Sequence, residues 1–270
     1  MEFNIPKVGM VVPCFNEANR FNADYWKAII QDTKDVKWVF VNDGSTDNTN
    51  EVLLPVSNLE NVTIINLKIN KGKAEAIRIG MLSLNESKDM SGLKIFSGIG
   101  FVDSDGAFKK SDITNIIDFF IETLNINNHV KDVDAVIASR IKLSGHDIER
   151  NPLRHYLSRI LITLLCSRWE RAPYDTQCGL KIFNNNALMG RALQQHFNSR
   201  WFFDIEILMR LQILKKEYLR IWEQPLMYWH EVGASRIKIS NYIKILTEVL
   251  QVKRIINKSV AALYMPLEKI

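Results

Sequence analysis

Apolar and polar positions alternate in blocks along the first half of the chain. Residues 8–12 form a short apolar run closed by Pro13, and residues 37–41 and 62–67 repeat the pattern. Runs of this length, rich in β-branched residues, predict buried strands. Between them, residues 23–31 carry helical spacing, as does a segment that starts near Asp47 and stops before Pro55. Asp47 or Ser45 is placed to cap that second helix. Asn70-Lys71-Gly72-Lys73 turns into a predicted helix over 74–84, with Ile77, Met81 and Leu84 on one face. An apolar stretch that includes Leu93, Ile95, Phe96, Ile99 and Phe101 then predicts a strand leading to Asp103. Strands alternating with helices predict an α/β protein with a Rossmann-like, doubly wound, mostly parallel sheet and helices on both faces. Ligands of such sheets sit beyond the carboxyl ends of the strands, where the loops after residues 12, 41, 67 and 102 lie.

The second half is less regular. Residues 113–124 predict a helix, and 133–138 a strand ending in Ser139-Arg140. Residues 142–151 are polar and expected to be mobile. Behind Pro152, Leu153, Tyr156, Leu157, Ile160, Leu161, Leu164 and Leu165 form a stripe that fits a core helix or a basic amphipathic helix at a membrane. A loop over 175–179 precedes a short strand over 180–183, followed by a helix over 204–214 and a strand over 219–222. A helical tail over 242–263 closes the chain.

The 270 residues are 47% hydrophobic and 24% charged, enough for one large domain or one domain with an appendage. A net charge of +5 fits an anionic partner such as a nucleotide, a phosphorylated lipid or a membrane surface; nucleic acid is not an expected partner. Residues 1–7 lack the apolar core of a signal peptide, and no run reaches the roughly 18 apolar residues of a spanning helix. Cys14, Cys166 and Cys178 are odd in number and lack a Cys-x-x-Cys pair, which argues against a disulfide framework or a zinc site. A cytoplasmic location is expected. The first strand-helix turn carries no Gly-x-Gly-x-x-Gly, which disfavours a dinucleotide oxidoreductase.

The densest chemistry lies in Asp103-Ser104-Asp105. Alternate side chains of a strand share a face, so the two carboxylates can converge where the strand ends. That pair suits a hard divalent cation with positions open for phosphate oxygens, although taken alone it describes a solvated turn equally well. Its company narrows the choice. Val11-Val12-Pro13-Cys14-Phe15-Asn16-Glu17, Val41-Asn42-Asp43-Gly44-Ser45-Thr46-Asp47, Asn70-Lys71-Gly72-Lys73 and Asp103-Ser104-Asp105, in this order, resemble the family 2 glycosyltransferases of GT-A fold. Ala138-Ser139-Arg140, the stretch from Asp175 to Phe183, Arg200 to Glu206, and Trp229 to Arg236 resemble the dolichyl-phosphate glucosyltransferases within that family.

The resemblance implies a glycosyltransferase domain over 1–235, with a nucleotide-sugar half over 1–110 and an acceptor half over 111–235, followed by the tail over 236–270. It implies inverting transfer of a hexose, glucose from UDP-glucose, to a polyprenyl phosphate. The alternatives are transfer to a glycan hydroxyl in cell-surface polysaccharide synthesis, use of GDP-mannose, or silent nucleotide-sugar binding. A lipid acceptor carries the expectation of peripheral contact with the inner face of the membrane. Pro13, Phe15, Glu17, Asp43, Ser45, Lys71, Lys73, Asp103 and Ser104 are the implied donor contacts. Asp103 and Asp105 are the implied ligands of Mg²⁺ or Mn²⁺. Arg140, Arg154, Ser158 and Gln177 are the implied acceptor contacts. Asp105, Arg140, Asp175 and Asp204 carry the chemistry, with Glu206 a further acceptor-side carboxylate. Asp43 also reads as a turn residue closing on Gly44, Arg154 as a solvated charge, Asp204 as a helix cap, and Glu206 as a first-turn charge favoured by the helix dipole.

Overall fold

A computed structural model describes residues 7–124, 133–230 and 242–263. The motif residues from Glu231 to Arg236 lie outside the described residues, as does the side chain of Arg154. The main sheet has seven strands: β1 (Val8–Cys14), β2 (Val36–Asn42), β3 (Val62–Asn66), β4 (Gly98–Val102), β5 (Ala135–Ser139), β7 (Leu180–Asn184) and β8 (Ile221–Pro225). Their order is β3-β2-β1-β4-β7-β5-β8. All run parallel except β7, which lies antiparallel between β4 and β5. A separate parallel pair joins β6 (Asp147–Glu149) to β9 (Tyr228–His230).

The alternation of strand side chains divides the core in two. Val11, Val39 and Val41 face α3 (Lys73–Asn85), where Ile77 and Met81 meet them. Met10, Val12, Trp38 and Phe40 face α1 (Ala23–Asp32), which presents Trp26 and Ile29. Both faces are thus covered, and the inner strands read as continuous apolar runs rather than alternating ones. The same core takes α4 (Lys110–Thr123) on the α1 side and α7 (Phe203–Lys215) on the α3 side. Helix α8 (Tyr242–Leu263) packs on α7 and contributes the buried Val252 and Ile256.

Three local expectations need correction, and one helix was not foreseen. Helix α2 (Thr49–Ser57) runs through Pro55, because buried Leu53 and Val56 anchor its last turn. Leu93 and Ile95 stand outside β4, 67% and 36% exposed, on a turn that the Asp89 carboxylate ties by accepting from the Ser91 and Leu93 N–H groups. The polar stretch 142–151 holds β6, nailed down by the buried Ile148. Helix α6 (Ala187–Leu193) was not foreseen, although Asn186 caps it by accepting from Leu188 and Met189. Helix α5 (Pro152–Leu165) forms as expected, but its stripe is divided: Leu165 is buried while Tyr156 and Ile160 are 65% and 59% exposed, and Ile162, outside the stripe, is buried as well.

Candidate active site

The loops after β1, β2 and β3 are tied together by short polar side chains. Asn16, in the left-handed conformation at φ 51°, donates its N–H to Ser45 Oγ and accepts from the Thr46 N–H. Ser45 Oγ donates to Asn42 Oδ1 at 2.6 Å. Asp47 accepts from the N–H groups of Ala18 and Thr49. Gly44 has φ +62°, and a Cβ there would lie 2.4 Å from the Ile69 backbone, so the second loop can close on the third only with glycine. Asp43, 2% exposed, then accepts from Lys71 N–H, Gly72 N–H and the Asn70 amide at 2.7, 2.7 and 3.0 Å. Burial pushes its carboxyl up, and the Lys71 and Gly72 bonds offset only part of that. The turn reading of Asp43 therefore holds in an extended form: it organises the loop that opens α3. A carboxylate has about four lone-pair sites, and three are taken. Glu17 is buried beside this loop cluster with Arg20 at 2.8 Å, and Phe15 and Pro13 close the end of β1.

Asp103 and Asp105 follow β4 on the same edge. Lys73, at the start of α3, reaches Asp103 Oδ1 at 2.6 Å. The Asp103 N–H donates to Gly179 O at 2.9 Å, and a Cβ on Gly179 would fall 2.3 Å from Asp103 Oδ2. Any larger residue there would push the carboxylate aside. The carbonyl of Ser104 accepts from the Trp26 indole at 3.2 Å, which fixes the turn between the two acids. Asp105 accepts from the Ala107 N–H at 3.2 Å. Burial, then the charge of Asp103, pushes its carboxyl up to about 6. Two partly buried carboxylates under mutual repulsion are a donor set for a hard divalent cation.

The edge expected to take the acceptor is cationic. Arg140, closing β5, makes a bidentate pair with Asp175, both bonds at 2.7 Å, and lies 5.0 Å over the Trp229 ring. Burial works against the Asp175 charge, but Arg140 outweighs it and holds the carboxyl well below its usual range. Glu223 on β8 accepts from the Tyr174 and Asp175 N–H groups and anchors this loop. Arg140, Arg150, Ser158, Arg159, Asp175 and Gln177 line one solvent-open pocket. Arg159 stacks on Tyr174 at 3.7 Å, and burial followed by the charge of Arg140 pulls the Arg150 guanidinium down. Asp204 accepts from Lys181, wholly buried on β7, at 2.7 Å. Lys181 also donates to Cys178 O. Phe202, not Asp204, holds the cap position of α7, so the cap reading of Asp204 is corrected. Glu206 is committed to the chain itself: it accepts from Asn198 N–H, Ser199 N–H and Arg210.

A model of glycosyl transferase family 2 matches residues 10–179. The chain belongs to this family. The dolichyl-phosphate beta-glucosyltransferase of Saccharomyces cerevisiae is 32% identical over 247 residues, which are 86% of this chain and 70% of that protein. A dolichyl-phosphate beta-glucosyltransferase of Trichomonas vaginalis is 30% identical over 254 residues, 91% and 72%. Glucosyl-3-phosphoglycerate synthase of Mycobacterium tuberculosis, in complex with Mn²⁺, UDP-glucose and phosphoglyceric acid, matches with TM-score 0.58 at 15% identity over 98% of this chain and 82% of that one. The expected GT-A fold is thereby established.

In this family 2 glycosyltransferase, the foreseen donor residues gather at one sheet edge, and Arg140, Ser158, Asp175 and Gln177 meet in one pocket. Lys71 is exposed beside them. Arg150 and Arg159 were missed as pocket residues, and Lys181 and Glu223 were missed as well. The first two flank Arg154 at spacings of four and five residues, a signal available in the sequence. Lys181 interrupts the apolar run Leu180-Lys181-Ile182-Phe183, and an inward lysine in a central strand requires a buried anionic partner.

Proposed function

We propose that this glycosyltransferase moves glucose from UDP-glucose to a polyprenyl phosphate, with inversion at the anomeric carbon. The donor's uridine lies toward Glu17, Asp43 and Ser45, and its diphosphate toward Lys71, Lys73, Asp103, Ser104 and Asp105. Asp103 and Asp105 are the residues that would hold Mg²⁺ or Mn²⁺; the raised carboxyl of Asp105 fits an acid pair that takes up a cation. Bound there, the cation supplies neutralising charge for the departing diphosphate. Lys73 holds Asp103 in place. An oxygen of the acceptor phosphate forms the new bond to the anomeric carbon, and the bond from that carbon to the diphosphate breaks, its electron pair leaving with UDP.

The observation that carries the acceptor is the state of the acceptor-side acids. Asp175 is consumed by Arg140 and Asp204 is held by buried Lys181, so neither stands ready as a base. A sugar hydroxyl needs such a base. A phosphate monoester, with a second pKa of about 6, is already a nucleophilic dianion. Arg140, Arg150 and Arg159, with Ser158 and Gln177, offer it a cationic pocket. Tyr156 and Ile160, exposed on α5, offer the protein a peripheral contact with the cytoplasmic face of a membrane. A donor screen with polyprenyl phosphate and Mn²⁺, read by mass detection of the product, tests this. Hexosyl polyprenyl phosphate formed from UDP-glucose is the expected result. Turnover of donor with no sugar on the lipid phosphate would overturn it.

A further inference from the structure

Arg200 has no place in the site as described, yet it stands over it. Its side chain crosses the loop that Asp43 organises: a Cβ on Gly72 would lie 3.2 Å from Arg200 Nε and 3.5 Å from its Cζ. Its hydrogen-bond partner there is Asn70 Oδ1, at 3.5 Å, the long limit of such a bond. The guanidinium is exposed and also favours the charge on Asp43. An exposed arginine ordinarily moves through many rotamers. This one rises from a segment held at several points. Glu206, fully buried, accepts from the N–H groups of Asn198 and Ser199. Glu248, on helix α8, accepts from Ser199 Oγ at 2.7 Å and from the Trp201 N–H at 2.8 Å. Two carboxylates are thus spent on fixing the backbone on either side of one exposed cation. A planar guanidinium with unused donors, held at a fixed height above a cleft, can stack on a flat ring and donate to its carbonyl oxygens.

We infer that Arg200 covers the base of the nucleotide donor, and that helix α8 holds it in position through Glu248. The inference rests on the reading of the Asp43–Asp103 edge as the donor site. The base end is chosen over the diphosphate end because Arg200 lies against Asn70 and Gly72, the partners of Asp43, whereas Lys73 serves Asp103. Arg200 is a specificity-determining residue on this account, and Glu248 a positioning residue.

The test is calorimetric binding of UDP, UMP and inorganic pyrophosphate to the full chain with Mn²⁺, comparing the native protein with R200A, R200K and E248Q. R200A should weaken UDP and UMP alike, roughly tenfold, and leave pyrophosphate unchanged. R200K keeps the charge without the plane and should recover little. E248Q should shift the nucleotides in the same direction by less. In turnover, R200A should raise the donor KM and leave kcat within about twofold. A thermal melt of each variant confirms the fold, which an exposed side chain does not carry. UDP and UMP binding unchanged in R200A, or a loss seen with UDP and pyrophosphate but not with UMP, would overturn the inference while the donor site stands. Failure of the native protein to bind UDP would overturn the donor-site reading and this inference together.

Discussion

Asp105 shows what a single position in this site costs and why it is kept. Its carboxyl, pushed up to about 6, holds a proton in the folded metal-free protein at a pH where the unfolded chain has lost it. Stability therefore falls as pH rises from about 4, the ordinary carboxylate value, through 6. Asp105→Asn removes that penalty. In thermal melts at pH 7 with chelator, the variant should be more stable than the native protein by about 1–3 kcal/mol, and the difference should vanish near pH 4. Mn²⁺ should raise the melting temperature of the native protein and not of the variant, whose turnover is lost. Equal melts at pH 7, or equal response to Mn²⁺, would contradict the role given to Asp105. The placement of Asp103 and Asp105 at the end of a strand, on the same edge as three other loop motifs, was legible in the sequence. The state of Asp175 and Asp204 was not. Their partners, Arg140 and Lys181, stand 35 and 23 residues away, and only the pairing of β5, β7 and α7 brings them into contact.

At the scale of elements, β7 is the piece that joins the proposed donor and acceptor subsites. It enters antiparallel between β4 and β5, so the 175–179 loop that precedes it reaches the same edge as the loops that follow its neighbours. That loop brings Asp175 to Arg140 and Gly179 to Asp103. Gly179→Ala should displace the Asp103 carboxylate, because the added methyl would sit 2.3 Å from its oxygen. A shift of about 1 Å at a reacting centre can lower turnover by around a hundredfold. Steady-state assays with UDP-glucose should show that loss, with the circular dichroism spectrum retained; native turnover would refute the contact. The inner parallel strands and helices α1, α3, α7 and α8 were legible because burial imposes a clear apolar pattern on them. The polar β6 and the three-residue β9 were not, since each is fixed by one buried side chain rather than by a periodicity, and α6 buries Met189, Ala192 and Leu193 at helical spacing over only seven residues, too short a run to stand out. Leu93 and Ile95 misled for the opposite reason: they are apolar but lie on a turn closed by Asp89. The antiparallel sense of β7 has no signature in a single strand's composition.

For the molecule as a whole, a net charge of +5 and the division of the α5 stripe point to the same surface. No helix among the described residues is long and apolar enough to cross a membrane. Tyr156 and Ile160 stand exposed on α5, the helix that also supplies Ser158 and Arg159 to the cationic pocket. Flotation with anionic liposomes at low salt should carry the protein upward, and Tyr156→Ser with Ile160→Ser should weaken that without lowering the affinity for UDP. A protein that stays at the bottom of the gradient would remove the membrane contact from the account. The pocket's arginines and the two occupied acids together require that the acceptor bring its own negative charge and its own nucleophile. The most direct measurement of that claim is turnover of UDP-glucose with Mn²⁺ on two acceptors of one chain length, a polyprenyl phosphate and the corresponding polyprenol. Glucose should appear on the phosphate alone, whereas glucose on the free alcohol at a comparable rate would contradict it.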